Sequence, residues 1–429
     1  MRRRLISVVA AAAGSVLLGG CISDGGGPPE SANTSRGAIE VWLSTNPEEV
    51  AWGEEVVASW NSKHPSEKVT AQQIPAGKTS EEVIYASIVA GNAPCVVMNT
   101  APSAVPQFQK AGGLVPLDNF PDGNSYVEGR TGTAVADQYK SPDGRFYQIP
   151  WKVNPVMIFY NKKLFAQAGL DPVNPPLKTW AEFLQTSRTL VQKKVAHAAI
   201  WPAPSSEFFQ SWFDFYPLFG ARTQQQLVED GKATFDTPDG VAVGQFWRTM
   251  YAEQLAPQEK YNGDSCKDGE AAMAIVGPWA ISVYKDAIEW GAVPIPTEDG
   301  KPANQVYTFS DEKSLAIYFA CEHRLTAWDF VKFATAQDSD GRLLELTGQM
   351  PMRENLPGVY AGYFAKNPAY TQFADQAGRI VEVPNVPNST EIWQTFRNAW
   401  TAAVVFDNEP IDKEFADAAA RANELLAKG

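Results

Sequence analysis

Residues Ile149 to Phe165 read IPWKVNPVMIFYNKKLF. Val156 to Tyr160 is a short apolar run rich in β-formers, the composition of a buried strand. Pro150 and Pro155 cannot donate to a sheet ladder, so they mark strand edges just ahead of it. Asn161, Lys162 and Lys163 end the run, and Leu164 to Ala168 opens a helical pattern closed by Gly169. Trp151 and Asn154 fall in the joint between these elements. A chain that passes here from one lobe to another opens a cleft, and such clefts are the usual seats of small ligands. The competing reading is an ordinary strand–helix unit around a buried Trp, and the rest of the chain decides between the two.

Upstream of this stretch, residues 38–112 alternate strand and helix. Ile39 to Leu43, Lys68 to Ile74 and Cys95 to Met98 read as strands. Asn46-Pro47-Glu48-Glu49 reads as a capped helix start and Thr79-Ser80-Glu81-Glu82 as a capping box. This is the βαβ signature of a parallel sheet. Downstream the alternation resumes with a capping box at Thr179 to Glu182 and strands at Ala198–Trp201, Ala272–Val276 and Gly291–Ile295. The segment from Glu207 to Phe219 is unusually aromatic. A second passage between lobes is expected at Val306 to Glu312, before a strand at Leu315–Phe319, and a third near Gln349 to Arg353. Two helices, Ser389–Phe406 and Asp412–Ala427, close the chain. The last shows an apolar stripe of Phe415, Ala418, Ala419, Ala422, Leu425 and Leu426 at helical spacing.

A chain of 429 residues exceeds what one core comfortably supports, so two domains are expected. Arg2 to Arg4 followed by an apolar Leu5 to Leu18 reads as a secretory n-region and h-region, too short to span a bilayer. Leu18-Gly19-Gly20-Cys21 follows and resembles a bacterial lipobox, in which Cys21 is acylated and becomes the first mature residue. Residues 21–37 are rich in Gly, Pro and Ser, as a flexible tether is. The formal net charge is −13. Removing residues 1–20 takes away three arginines and no acid, leaving −16. Such a surface repels nucleic acid.

No catalytic motif emerges. His64, His197 and His323 are isolated, and no H-E-x-x-H, G-x-S-x-G or G-x-G-x-x-G occurs. Gly77-Lys78-Thr79 looks like the tail of a phosphate loop, but Gln72 stands where the leading Gly belongs. The cysteines lack C-x-x-C spacing, so no metal or cofactor is expected. The aromatic complement is the remaining signal: 13 Trp, 14 Tyr and 22 Phe. Most must be core, but a Trp in a loop at a strand end offers a flat π-surface for the C–H face of a sugar. Trp279, after a buried strand and Gly277-Pro278, is the leading candidate. Trp151, Trp201, Trp212 and Trp393 follow.

The stretch IFYNKKLFAQAGL resembles the start of the second lobe in extracellular solute-binding proteins of sugar ABC importers (family 1, the maltose-binding protein group). EAAMAIVGPWAI is similar to the family's strand, Gly-Pro-Trp turn and helix, whose Trp stacks on sugar. VEVPNVPNSTEIWQTFRNAW looks like its late Pro-Asn-x-Pro turn and helix carrying a cleft Trp, a role that falls to Trp393. The family places an acid at the position of Asn154 and an aromatic at that of Asn99, so the ligand implied is not simply maltose. The resemblance covers roughly residues 38–429. It implies an α/β, two-lobed periplasmic-binding-protein-like fold of type II, with three interlobe crossings and a ligand cleft between the lobes.

On that resemblance residues 38–149 plus 313–349 form the N-terminal lobe and 150–305 plus 350–429 the C-terminal lobe, with 306–312 a hinge crossing. It implies capture of a sugar or oligosaccharide outside the cell by lobe closure, without turnover, by a lipid-anchored monomer that delivers to an ABC permease. Asn46, Glu48, Asn99, Asn154, Asp311 and Arg353 would bind hydroxyls. Trp279, Trp393 and an aromatic from Glu207 to Trp212 would stack on rings. It also places Cys95 and Cys321 together at the first lobe's far end, where they could form a disulfide. The alternatives are a glycerophosphodiester or peptide ligand on the same fold, and a secreted glycosidase.

Overall fold

The structure, a computed structural model, describes residues 30–76, 79–202, 210–381 and 383–428, with the side chains of 210–212 left out. The expected signal peptide, Cys21, Gly77, Lys78 and Glu207 lie outside the described residues.

The chain builds two α/β lobes. The first holds a six-stranded sheet ordered Met350–Pro351, Ile149–Val153, Lys313–Ile317, Val96–Thr100, Ile39–Leu43 and Val69–Gln73. Ile39–Leu43 pairs in parallel with Val69–Gln73 and with Val96–Thr100, and the later strands add antiparallel. The second lobe holds a sheet ordered Trp290–Val293, Met157–Asn161, Ala271–Val276 and Ala198–Ile200. Each sheet is covered by helices because both its faces are apolar, as parallel crossovers require. The second lobe's main core gathers Phe215, Phe219, Trp247, Phe396, Trp400 and Phe415 from four helices. The first lobe's core gathers Trp52, Trp60, Trp151, Trp328 and Phe330. Most of the aromatic complement is therefore structural.

The quoted stretch does change lobes, but later than its prolines suggested. Ile149–Val153 is a fully buried strand of the first sheet, and Met157–Asn161 belongs to the second. The crossing is residues 154–156, and Pro150 lies inside a strand. Its missing N–H is tolerated because Pro150 faces Ser314, where the register of the neighbouring strand shifts. The second crossing runs antiparallel beside the first: Val156 N–H bonds Phe309 O at 3.0 Å, and Pro155 bridges Ser310. At the third, Met350–Pro351 still pairs with Val153 and Lys152, so the first lobe extends two residues beyond the expected limit.

The tether is shorter than its composition implied. Glu30–Thr34 forms a short 3-10 helix, and residues 33–37 dock on the start of the helix Arg324–Ala334. Leu325 N–H bonds Ser35 O at 3.3 Å, Asn33 Oδ1 accepts from Arg324 at 3.0 Å, and Arg36 pairs with Glu67 and Asp329. These polar residues satisfy groups at the helix end instead of water. Cys95 and Cys321 are joined by a disulfide, with Cα atoms 4.5 Å apart, and Cys266 is a buried free thiol.

Candidate functional site

Both sheets aim their chain ends at the joint. On the first-lobe side these are the carboxyl ends of Ile39–Leu43, Val96–Thr100 and Ile149–Val153 and the start of the antiparallel Lys313–Ile317. On the second-lobe side they are the start of Met157–Asn161 and the carboxyl ends of Ala271–Val276 and Ala198–Ile200. The loops and helix starts that follow these ends wall a groove between the lobes.

The floor is polar, although buried. Lys152 is the one charged side chain in its strand and is 1% exposed. Its Nζ lies 2.8 Å from Glu49 and 3.3 Å from Asn99 Oδ1, and sits 4.4 Å over the Trp151 ring. Burial pushes the Lys152 ammonium below the usual lysine range, and Glu49 opposes that shift. Glu49 also accepts from Gln349 Nε2. Lys313 pairs with Asp311 at 2.5 Å. Burial works against its charge, but Asp311, Glu81 and Glu49 outweigh it, and Lys313 titrates above an ordinary lysine. Tyr139 donates to the buried Glu312. Asn154, 1% exposed, draws the three crossings together. Its backbone N–H bonds Ser310 Oγ at 3.0 Å, and Nδ2 reaches Asp311 O and Gln349 Oε1, each at 3.3 Å.

The second-lobe wall is aromatic. Trp279 begins the helix after Gly277-Pro278, and its partly buried ring folds back over Gly277, where a Cβ would collide with it. Phe213, from the helix Gln210–Thr223, meets Trp279 edge-on at 6.2 Å and Phe309 at 5.4 Å. Tyr216 stacks on Phe309 at 5.3 Å. Packed rings thus run from Trp279 down to the hinge, where Phe309 and Tyr216 are buried.

The lobes touch across the groove. Ser389 Oγ donates to Ser103 O, Thr390 Oγ1 to Gln107 Oε1 at 2.6 Å, and Asn385 Nδ2 to Lys140 O at 3.2 Å. A cavity of about 40 Å³ remains beneath this contact, lined by Thr79, Glu81, Glu82, Tyr85, Gln107 and Thr390. With the lobes in contact it is large enough for a few waters.

The expected site residues divide into several groups. Asn99, Asn154 and Asp311 stand in the polar floor, and Trp279 in the aromatic wall. Asn46 caps the helix Pro47–Lys63 by accepting from Glu49 N–H at 3.0 Å. Glu48 lies on that helix's first turn, where the neighbouring Glu49 is the acid that turns inward. Trp201 is on the edge strand's end, packed on His197 and Tyr261, with its N–H given to Glu259 O at 2.8 Å. Trp212 falls in the helix Gln210–Thr223.

Three expectations are corrected by packing. Trp151 is 1% exposed and packs on Trp52 inside the first lobe. Trp393 is fully buried in the second lobe's core. Arg353 is held by the buried Asp340 at 2.5 Å, together with Thr335 O, and shares both with Arg130. A guanidinium so engaged is a clamp on the third crossing, not a group left for a ligand. Sequence reasoning missed Lys152, Lys313, Glu49, Glu81, Gln349 and Phe213. A lone Lys inside the apolar strand IPWKV was the one local signal among them.

Two lobes on separate cores, linked by three crossings with a polar and aromatic groove between, define a two-lobed solute-binding protein. The chain belongs to the bacterial extracellular solute-binding protein family, whose model matches residues 55–372. It is 24% identical to the maltotriose-binding protein of Pyrococcus abyssi, over 85% of this chain and 77% of that one. It is 25% identical to the diacetylchitobiose-binding protein DasA of Streptomyces coelicolor, over 72% and 71%. Among solved structures, an ABC transporter solute-binding protein from Thermotoga lettingae bound with α-D-tagatose superposes with a TM-score of 0.77 at 21% identity, covering 91% of this chain and all of that one. UgpB from Mycobacterium tuberculosis in complex with glycerophosphocholine gives 0.74 at 20%, covering 91% and 99%.

Proposed function

We propose that this protein captures a sugar or oligosaccharide outside the cell, anchored by an acylated Cys21, and delivers it as a monomer to an ABC permease. It binds its ligand without turning it over. The observation that carries this reading is the pairing of surfaces across the groove. Trp279 and Phe213 present ring faces and edges, opposite a floor of Asn99 and Asp311 backed by the buried Asn154 and Gln349. Sugars match both, with C–H faces for the rings and hydroxyls for the amides and acids. The names of the curated relatives support the same class. Ligand that touches both lobes stabilises the closed arrangement through its differential affinity for it, and the contacts from Ser389 and Thr390 to Ser103 and Gln107 complete the closure.

A glycerophosphodiester is disfavoured by the cations. Among the described residues, the groove's Lys152 and Lys313 are each engaged by a carboxylate, and Arg353 is held away from it by Asp340. A thermal-shift screen of mono- and oligosaccharides tests the reading, since ligand at 100 Kd stabilises by about 2.7 kcal/mol. A panel of sugars that leaves Tm unmoved, while glycerophosphocholine or a short peptide raises it, would overturn it.

A further inference from the structure

The groove contains a buried acid that no ion pair among the described residues holds. Glu81 lies in the first turn of the helix Ser80–Val89 and is 5% exposed. Its Oε2 is buried with no hydrogen-bond partner. The side chain lines the interlobe cavity together with Gln107 of its own lobe and Thr390 of the other. A carboxylate oxygen held dry without a donor is unfavourable unless it takes a proton or a ligand brings the donor.

The groups around it relieve this only in part: its own backbone N–H favours the charged form, but burial outweighs it. Lys313, from the strand after the second crossing, attracts the Glu81 charge, but Asp311 holds that lysine at 2.5 Å. Asp311 and Glu82 repel the charge. Tyr85 lines the same cavity, and Tyr318, paired with Thr100 at 3.0 Å, is the phenol that senses Glu81 from the sheet. Glu49 and Glu312 add further negative charge to the floor, against Lys152 and Lys313.

Resting on the carbohydrate reading of this groove, we propose that Glu81 is its specificity-determining acid. It admits ligands that bring hydrogen-bond donors and no anionic group, and it takes up a proton when the lobes close over a neutral one. Closure supplies the cover, because Thr390 is part of the wall that encloses Glu81. Burial agrees, pushing the Glu81 carboxyl up to about 7 from 4.5. A proton taken up on closing ties affinity to pH: binding of a neutral sugar is strongest below that value and weakens as pH rises through it.

Calorimetry on the mature chain tests this with maltotriose, N,N′-diacetylchitobiose and an arabinotriose, following whichever binds. Between pH 6 and pH 8 the affinity falls about tenfold, the span one proton allows for these two values. At pH 7, titrations in buffers of different ionisation enthalpy report uptake of about half a proton. This measurement needs no variant. Glu81→Gln, which keeps size and hydrogen-bonding capacity, abolishes both the pH slope and the uptake. Oligogalacturonate and glycerophosphocholine leave the protein unbound. A sugar that binds with no proton uptake and the same affinity at both pH values overturns this inference alone. Binding of glycerophosphocholine without any of the sugars overturns it and the carbohydrate reading together.

Discussion

Asn154 and Gln349 stand 195 positions apart in sequence, yet Asn154 Nδ2 lies 3.3 Å from Gln349 Oε1 inside the joint. Asn154 also bonds Ser310 and Asp311, so one amide links the first, second and third crossings. Both side chains are buried, at 1% and 3% exposure. Truncating Asn154 to Ala leaves Gln349 short of a donor, at an expected loss of about 1–3 kcal/mol. Urea unfolding of Asn154→Ala measures this, and an unchanged midpoint would remove the amide from any role in holding the crossings.

The buried pair of Glu49 and Lys152 makes a sharper prediction. Removing one partner strands the other charge in a dry site, and Glu49→Ala is expected to cost about 3–5 kcal/mol. Adding Lys152→Met to that variant restores most of the loss, because no charge is then left unpaired. A double-mutant cycle by chemical denaturation decides. Equal destabilisation of the single and double variants would show that the pair's charge is not what matters.

Trp279→Ala removes the largest ring of the aromatic wall. If it stacks on the ligand, the binding loss is about 1.5 kcal/mol or more, roughly tenfold in Kd, with the fold intact. Calorimetry against the best-binding sugar, alongside an unfolding curve, separates the two effects. Unaltered affinity would refute the stacking role.

Glu81 also shapes overall stability. Its carboxyl titrates at about 7 in the closed chain against 4.5 ordinarily, so between those values the closed, sugar-bound state holds a proton the unfolded chain has released. The stability this proton contributes is full below about pH 4.5 and is lost as pH rises through about 7. Thermal unfolding at pH 5, 6 and 7.5, with the best-binding sugar at saturation, should show wild-type Tm falling relative to Glu81→Gln as pH rises. Parallel curves would contradict the assignment.

The disulfide closes a loop of 226 residues between Cys95 and Cys321. Loop-closure entropy makes its removal as Cys95→Ser worth about 5 kcal/mol, read from denaturation midpoints. Cys266 is buried and its thiol is pushed up to about 12, so it does not react in the folded protein. The denatured, unreduced mature chain should therefore titrate one thiol. Three would mean that Cys95 and Cys321 are not joined.

Element identity was legible because local rules suffice for it. The alternation of strand and helix over residues 38–112, the capping box at Thr179 and the stripe on the final helix appear where expected, within a residue or two, while Thr79 caps its helix only by accepting from Glu82 N–H. The prolines around Trp151 were equally visible, although Pro150 misled, since a proline opposite a register shift costs a strand little.

What the sequence determined by itself is the class of fold: two α/β lobes, the places where the chain passes between them, and an aromatic-rich joint. Periodicity, caps and turn residues are short-range properties carried within a dozen positions. Which side chains face the groove was decided only by tertiary structure. Glu49 and Glu48 are neighbours, and nothing local says which turns inward. Arg353 looked available until Asp340 was packed against it, and Trp393 looked exposed until four helices closed over it. Burial and pairing depend on residues hundreds of positions apart, and only the assembled lobes bring those together.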